Sequence, residues 1–344
     1  MIIKYLSFLI LFCFSFHQPV IELIFKDYLS KYKIIYDSYE DYQINLENFK
    51  QQYLNSSLDI EKFFNLKEKK LRYLDTDYPE YFNWVEEGAV NEIQNQGICG
   101  SSSVFSTMTM LEGYYYIKNK KLLKLSEQYV IDCFIIYGDI CLNGSHYIYN
   151  FNFIKNYNPM LDYNYPYISK DKDSISQFCK YNISKIINLE NNLKLYSIAQ
   201  KNDTMNIINR IYNYGPIGTR VNGSCNAFLD NFNNSKYIIY SDNKECEPIP
   251  NHAINIVGWG LTEKNNLYWI VRNSWGKEWG DEGYGYVLAG YNSFGIENEL
   301  YYIKEELITS NSTSTNTDNT CKNNNNNNYY LKFNLFYIMI ILIL

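Results

Sequence analysis

The sequence predicts an α+β protein, mainly helical in its first half and strand-rich in its second. Val104, Met108, Leu111 and Tyr115 recur at helical spacing. Ile21, Ile24, Phe25, Tyr28, Tyr32 and Ile35 do the same, as do Tyr42, Leu46, Phe49 and Tyr53. After roughly residue 185 the pattern changes to short runs of Ile, Tyr and Val split by Asn, Gly and Asp. Ile254 to Val257 and Leu267 to Val271 read as buried strands. With 344 residues, 46% of them hydrophobic, the chain can fill the core of one or two domains.

The formal net charge of −6 argues against a nucleic-acid partner and offers no basic face to an acidic membrane. The 36 tyrosines, beside abundant Asn, read as a compositional bias of the genome. The N-terminus predicts a secretory signal over residues 1–16. Lys4 supplies the positive region and Leu6 to Phe16 an apolar run without an acid, too short to span a membrane; cleavage is expected near His17. Secretion permits disulfides. Loss of Cys13 with the signal leaves Cys99, Cys133, Cys141, Cys179, Cys225, Cys246 and Cys321, an odd count that leaves one without an intramolecular partner. Their spacing has no CxxC pairs, so no zinc site is expected, and no other metal or cofactor.

Residues 17–76 hold the two amphipathic N-terminal helices. The stretch Gln96-Gly97-Ile98-Cys99-Gly100-Ser101-Ser102-Ser103-Val104-Phe105-Ser106 then reads as a loop closing on a cysteine and a glycine, followed at once by a helix. That helix is expected to have one apolar face. Ser102 falls at its N-terminus, where unpaired backbone N–H groups and the helix dipole favour a developing negative charge. Ser126 suits the N-cap of a further short helix.

Residues 306–328, rich in Ser, Thr and Asn, form an expected disordered linker. Residues 329–344 read as a hydrophobic anchor. Leu335 to Leu344 is uncharged but shorter than the roughly 20 residues a spanning helix needs. A lipid-anchor signal fits, with Lys322 to Asn328 as spacer and small residues over Ser310 to Cys321; a short tail helix is the alternative. Both predict membrane association through the C-terminus. Asn-x-Ser/Thr sequons occur at Asn55, Asn143, Asn182, Asn202, Asn222, Asn233 and Asn311.

Gln96 to Ser106 resembles the nucleophile segment of the papain family of cysteine proteases, Gln-Gly-x-Cys-Gly-Ser-Cys-Trp-Ala-Phe-Ser. Here Ser102 stands where the family has its catalytic cysteine, and Ser103 where a tryptophan follows it. Gln96, Cys99, Gly100 and Phe105 hold the register from both sides. Phe82-Asn83-Trp84 and Gly88-Ala89-Val90 resemble the family's entry to the domain, and Leu125 to Cys133 its Leu-Ser-Glu-Gln-x-Leu-Val-Asp-Cys segment. The resemblance covers roughly residues 79 to 305. It implies a papain-like peptidase domain over 77–305, with a helical lobe, a β-barrel-like lobe and a cleft between them. It also makes residues 17–76 an inhibitory pro-segment. Of that segment's Glu-x3-Arg-x3-Phe-x2-Asn signature, the positions Asp41, Asn45, Phe49 and Gln52 keep only the Phe.

By the same resemblance Gln96 is the oxyanion-hole amide, His252 the catalytic histidine, Asn273 its orienting partner and Trp275 the shield over that pair. Gly144 matches a glycine whose backbone binds extended substrate, while the glycine before it is Asn143 here. His146, in a loop after Cys141, lacks triad context and suits a surface or subsite role. Cys99 is expected opposite Cys141, and Cys133 opposite Cys179. Cys246 lies six before His252, where the family often has a cysteine, but Glu297 stands about where its partner would be. Cys225 is the nearest candidate, so Cys225–Cys246 is expected.

A serine hydroxyl does not ionise beside a histidine as a thiol does. It must give its proton to His252 during attack, and a neutral Asn273 stabilises the resulting imidazolium less than a carboxylate would. The expected function is a catalytically impaired papain homologue of the secretory pathway, monomeric, binding peptides or protein partners in its cleft. One alternative is a weak or specialised endopeptidase using Ser102 with His252 and Asn273. The other is a non-catalytic surface glycoprotein. Expected locations are a lysosome-like vesicle, the cell surface or the extracellular space.

Overall fold

A computed structural model describes residues 21–31, 33–54, 78–134, 138–171, 178–190, 192–198, 203–229, 237–239, 246–262 and 264–306. The expected signal peptide and C-terminal anchor lie outside these residues, as do 307–328 of the expected linker, 17–20 and 55–76 of the expected pro-segment, and Cys321.

Residues 21–31 (α1) and Tyr39–Leu54 (α2) are helical. Ile21, Phe25, Leu29, Ile34, Tyr42, Leu46 and Phe49 bury against one another as a small core of their own. Ile35 departs from the expected helical face. The backbone turns left-handed at Lys33 (φ 53°), and Lys33 N–H closes on Ser30 O (3.2 Å). Ile35 therefore leaves the helix and packs with Val90, Val257, Tyr268 and Ile270. Tyr32 lies outside the described residues.

Ser102–Asn119 forms α3. Ser103 to Gly113 are all buried, so this helix is enclosed on every side rather than along one apolar face. The reason is its position. Ser106 Oγ donates to Ile254 O (2.9 Å) on one side and meets Tyr147 Oη (2.8 Å) on the other. Tyr147 Oη also donates to Thr219 O (2.8 Å), so hydroxyls stitch the helical half to the sheet. Glu127–Cys133 (α4) begins at Ser126, whose Oγ accepts from Tyr129 N (3.0 Å). Ile140–Asn143 (α5) and Tyr147–Tyr157 (α6) complete the helical half. Val104, Met108, Leu111, Leu125, Tyr129, Phe151 and Ile154 are among its core.

The second half is an antiparallel sheet, from Phe82–Asn83 (β1), Leu193–Ile198 (β2), Ile217–Val221 (β3), His252–Leu261 (β4), Leu267–Arg272 (β5), Tyr284–Leu288 (β6) and Leu300–Glu305 (β7). The strand order is β2-β7-β3-β4-β5-β6, with β1 added on β4. Both expected strand segments lie inside β4 and β5. The helix Thr204–Tyr214 (α7) buries Ile207, Ile208 and Ile211 in a second core with Ile256, Trp259, Trp269, Val271 and Trp279. In register, Val221 of β3 faces His252 and Asn255 of β4 faces Arg272. The start of β4 and the end of β5 thus share one edge of the sheet, and the N-terminus of α3 comes up against it.

Among the described residues no helix is long and apolar enough to cross a membrane.

Candidate active site

The loop ahead of α3 is held by backbone and disulfide. Cys99 is bonded to Cys141, and Gly100 N–H donates to Cys141 O (2.9 Å). Gly97 is left-handed (φ 61°), and an added Cβ there would lie 1.9 Å from Lys170 O. Only glycine lets the two chains pass at that distance. Cys133 is bonded to Cys179, and Cys225 to Cys246.

Gln96 is buried and clamped at both ends of its amide. Its Oε1 accepts from Ser274 Oγ (2.6 Å), and its Nε2 donates to Cys99 O (2.8 Å). Its backbone is tied to the same residue through Gln96 N–H to Ser274 O (2.8 Å). A side-chain amide has two N–H donors, so one remains after the bond to Cys99. Ser274 was not singled out in the sequence. The signal for it was its place between Asn273 and Trp275.

His252 and Asn273 come together across β4 and β5. His252 Nε2 lies 2.8 Å from Asn273 Oδ1. The same Oδ1 accepts from the backbone N–H of Ser274 (2.8 Å). A backbone N–H can only donate, so that atom of Asn273 is its oxygen. Nε2 therefore carries the imidazole proton and Nδ1 is left as an acceptor. Trp275 lies over the ring, centroids 4.4 Å apart, and Phe228 packs edge-on against both, 5.7 Å from Trp275 and 6.4 Å from His252. Burial drives the His252 pKa down to about 4, opposed only in part by its bond to Asn273. The imidazole is neutral at pH 7. Gly223 makes room for it, since a Cβ there would meet His252 Cβ at 2.6 Å.

Ser102 opens α3 beside this pair. Its Oγ accepts from Ala253 N–H (3.3 Å), the residue next to His252. Among the described residues its hydroxyl has no hydrogen bond to the imidazole. Gln96, Ser102, His252 and Asn273 thus meet at one place. Ser103 is buried, where its Oγ pairs with Ser145 Oγ (2.8 Å) and accepts from Asn150 Nδ2 (3.2 Å). Gly144 follows α5 with φ 69° and ψ −174°, near Gly100. His146 caps α6 through Ile148 N–H (3.4 Å) and faces Tyr301 Oη (3.4 Å). Among the described residues no cluster of His, Cys, Asp and Glu is placed to hold a metal ion.

Helical lobe, antiparallel lobe and a histidine–asparagine pair against a helix N-terminus define a papain-type α+β peptidase fold. The chain belongs to the papain family of cysteine proteases, which matches residues 78–304. It is 34% identical over 218 residues to fruit bromelain of Ananas comosus, across 62% of this chain and 56% of that protein. It is 36% identical over 207 residues to macrodontain-1 of Ananas macrodontes, across 60% and 87% respectively. Cysteine proteinase 1 of Dictyostelium discoideum is 31% identical over 277 residues, 74% of each chain. The match to fruit bromelain spans little more than half of that protein's length.

Proposed function

We propose that this chain is a catalytically impaired papain-family protein of the secretory pathway, with Ser102 in the position of the family's nucleophilic cysteine and a cleft that binds peptides or protein partners. The observation that carries this reading is the environment of Ser102. Its hydroxyl accepts from Ala253 N–H while His252 stands neutral and paired to the uncharged Asn273. A cysteine here could pass its proton to His252, because the thiolate formed would offset the burial that keeps the imidazole neutral; an alcohol stays protonated and must hand its proton to a weak base during attack. Keeping an oxyanion hole and binding without the nucleophile's chemistry leaves on the order of 10³-fold catalysis over water.

The alternative of a serine-dependent endopeptidase draws support from the retained Gln96, His252 and Asn273. Against it stands the missing hydrogen bond from Ser102 to the imidazole among the described residues. Exposed sequons at Asn143 and Asn182 are compatible with a glycoprotein on either reading. Residues 17–76 are assigned to a pro-segment and residues 329–344 to membrane attachment, both from sequence pattern.

The test is covalent labelling with iodoacetamide and an epoxide thiol probe, mapped to the peptide spanning residues 96–106. The unmodified chain should take no label there. Ser102→Cys should take it, because Gln96, His252 and Asn273 are in place. Stoichiometric labelling of the unmodified peptide overturns the reading.

A further inference from the structure

A cavity of about 280 Å³ lies between the N-terminal segment and the face of β5 and β6 turned away from the Trp269 core. Among the described residues its lining includes the carboxylates Glu86, Asp281 and Glu282, several tyrosines and one cation, Lys33. That cation comes from the N-terminal segment and is seated in a defined way. Lys33 Nζ pairs with Glu86 Oε2 and lies over the Tyr81 ring, 4.2 Å from its centroid. Tyr81 Oη donates to the other oxygen of Glu86, which fixes carboxylate and ring relative to each other. A carboxylate beside an aromatic face is the chemistry that recognises an ammonium group. The left-handed backbone at Lys33 presents the side chain just past the end of α1.

We propose that Tyr81 and Glu86 form a docking seat for the lysine side chain of a protein partner, filled by the chain's own Lys33 while the N-terminal segment is in place. Among the described residues, three carboxylates against one cation leave the lining acidic once Lys33 departs, so the seat favours a basic polypeptide. The occupant already present is a lysine carried on a polypeptide, which sets the class. The seat's being vacated rests on the reading of residues 17–76 as a removable pro-segment. Its chemistry does not. Glu86 is 43% exposed at its side chain even with Lys33 bound, so a ligand can reach it.

The test uses the full chain with the N-terminal segment retained, so it does not depend on removal of that segment. Lys33→Ala opens the seat, and the probe is a fluorescent tetralysine peptide beside its fully acetylated counterpart. Lys33→Ala should bind tetralysine about fivefold more tightly than the unmodified chain, by the loss of one competing pair and ring contact. The acetylated peptide should not gain. Adding Glu86→Gln should abolish the gain, while adding Glu87→Gln, which alters a carboxylate outside the cavity, should leave it intact. Equal binding by Lys33→Ala and the unmodified chain overturns the proposal. So does an equal loss from Glu86→Gln and Glu87→Gln, which would mark general attraction to an acidic surface. Failure of the pro-segment reading would show separately, as a secreted chain whose mass still includes residues 17–76.

Discussion

His252 Nε2 is 2.8 Å from Asn273 Oδ1, both residues are buried, and Trp275 lies over the imidazole. This pairing gives His252 one orientation and one neutral tautomer. Burial, which outweighs that bond, makes the imidazole a group that the folded chain resists protonating.

The first prediction follows from that resistance. The folded pKa of His252 is lowered to about 4 from 6.5 by burial. Above pH 6.5 the imidazole is neutral in both states and contributes no pH dependence. As pH falls from 6.5 toward 4, the unfolded chain binds a proton that the folded chain refuses, and stability drops. The loss from this one group is about 2–3 kcal/mol by pH 4.5. His252→Gln should remove that share, so its urea-unfolding free energies at pH 7 and pH 4.5 should differ by correspondingly less. An unchanged difference would place the titrating group elsewhere.

A second prediction concerns Glu297, which is fully buried. Its Oε1 accepts from Trp269 Nε1 (2.8 Å) and Gly290 N–H (2.7 Å), and its Oε2 from Asn292 N–H (3.3 Å). Removing the carboxylate leaves the buried Trp269 Nε1 donor and two half-buried backbone donors without acceptors, the buried one costing about 1–3 kcal/mol and the others less. Glu297→Ala should therefore lower the unfolding free energy by roughly 3–5 kcal/mol. Glu297→Gln keeps one acceptor oxygen and should fall between. Equilibrium denaturation of the two variants measures this, and a loss under about 1 kcal/mol for Glu297→Ala would show that other groups take over the donors.

The Cys99–Cys141 bond carries a third. It closes a stretch of sequence separation 42 and holds the loop that leads into α3. Reduction, or Cys99→Ser with Cys141→Ser, should cost roughly 2–4 kcal/mol. Non-reducing peptide mapping should recover the 99 and 141 peptides joined. Finding Cys99 alkylated as a free thiol would contradict the loop geometry.

Much of this was legible from the residues. Ser126 has the short polar side chain of an N-cap, and its hydroxyl accepts Tyr129 N–H. The apolar runs in β4 and β5 announced themselves because strands buried on both faces lose their alternation. Helical spacing was less reliable. Ile35 continues the α1 period, yet one left-handed residue at Lys33 sends it to another core. The seeming single face of α3 misled because small polar residues, Ser103, Ser106, Thr107 and Thr109, are buried through specific hydrogen bonds. The partners of Ser103 and Ser106, Ser145 and Ile254, lie far away in sequence, while Thr107 and Thr109 bond to carbonyls four residues back in α3, and neither kind leaves an apolar period. Glu297 is a similar case. It was visible only as a cysteine not present, whereas its three donors converge from β5 and the turn after β6. Arg272, buried and held by Thr109 Oγ1 (2.9 Å) and Glu92 O (2.8 Å), likewise gave no local sign.

The account stands or falls on what the hydroxyl at residue 102 costs the chemistry. The direct measurement is the ratio of kcat/KM between Ser102→Cys and the unmodified full chain on one peptide-substrate library, at neutral pH, with both proteins secreted from the same host. A thiol in place of the alcohol should raise turnover by about 10³-fold or more, with Gln96, His252 and Asn273 already positioned. Turnover by the unmodified chain within about tenfold of the Ser102→Cys variant would contradict the account and make Ser102 a working nucleophile.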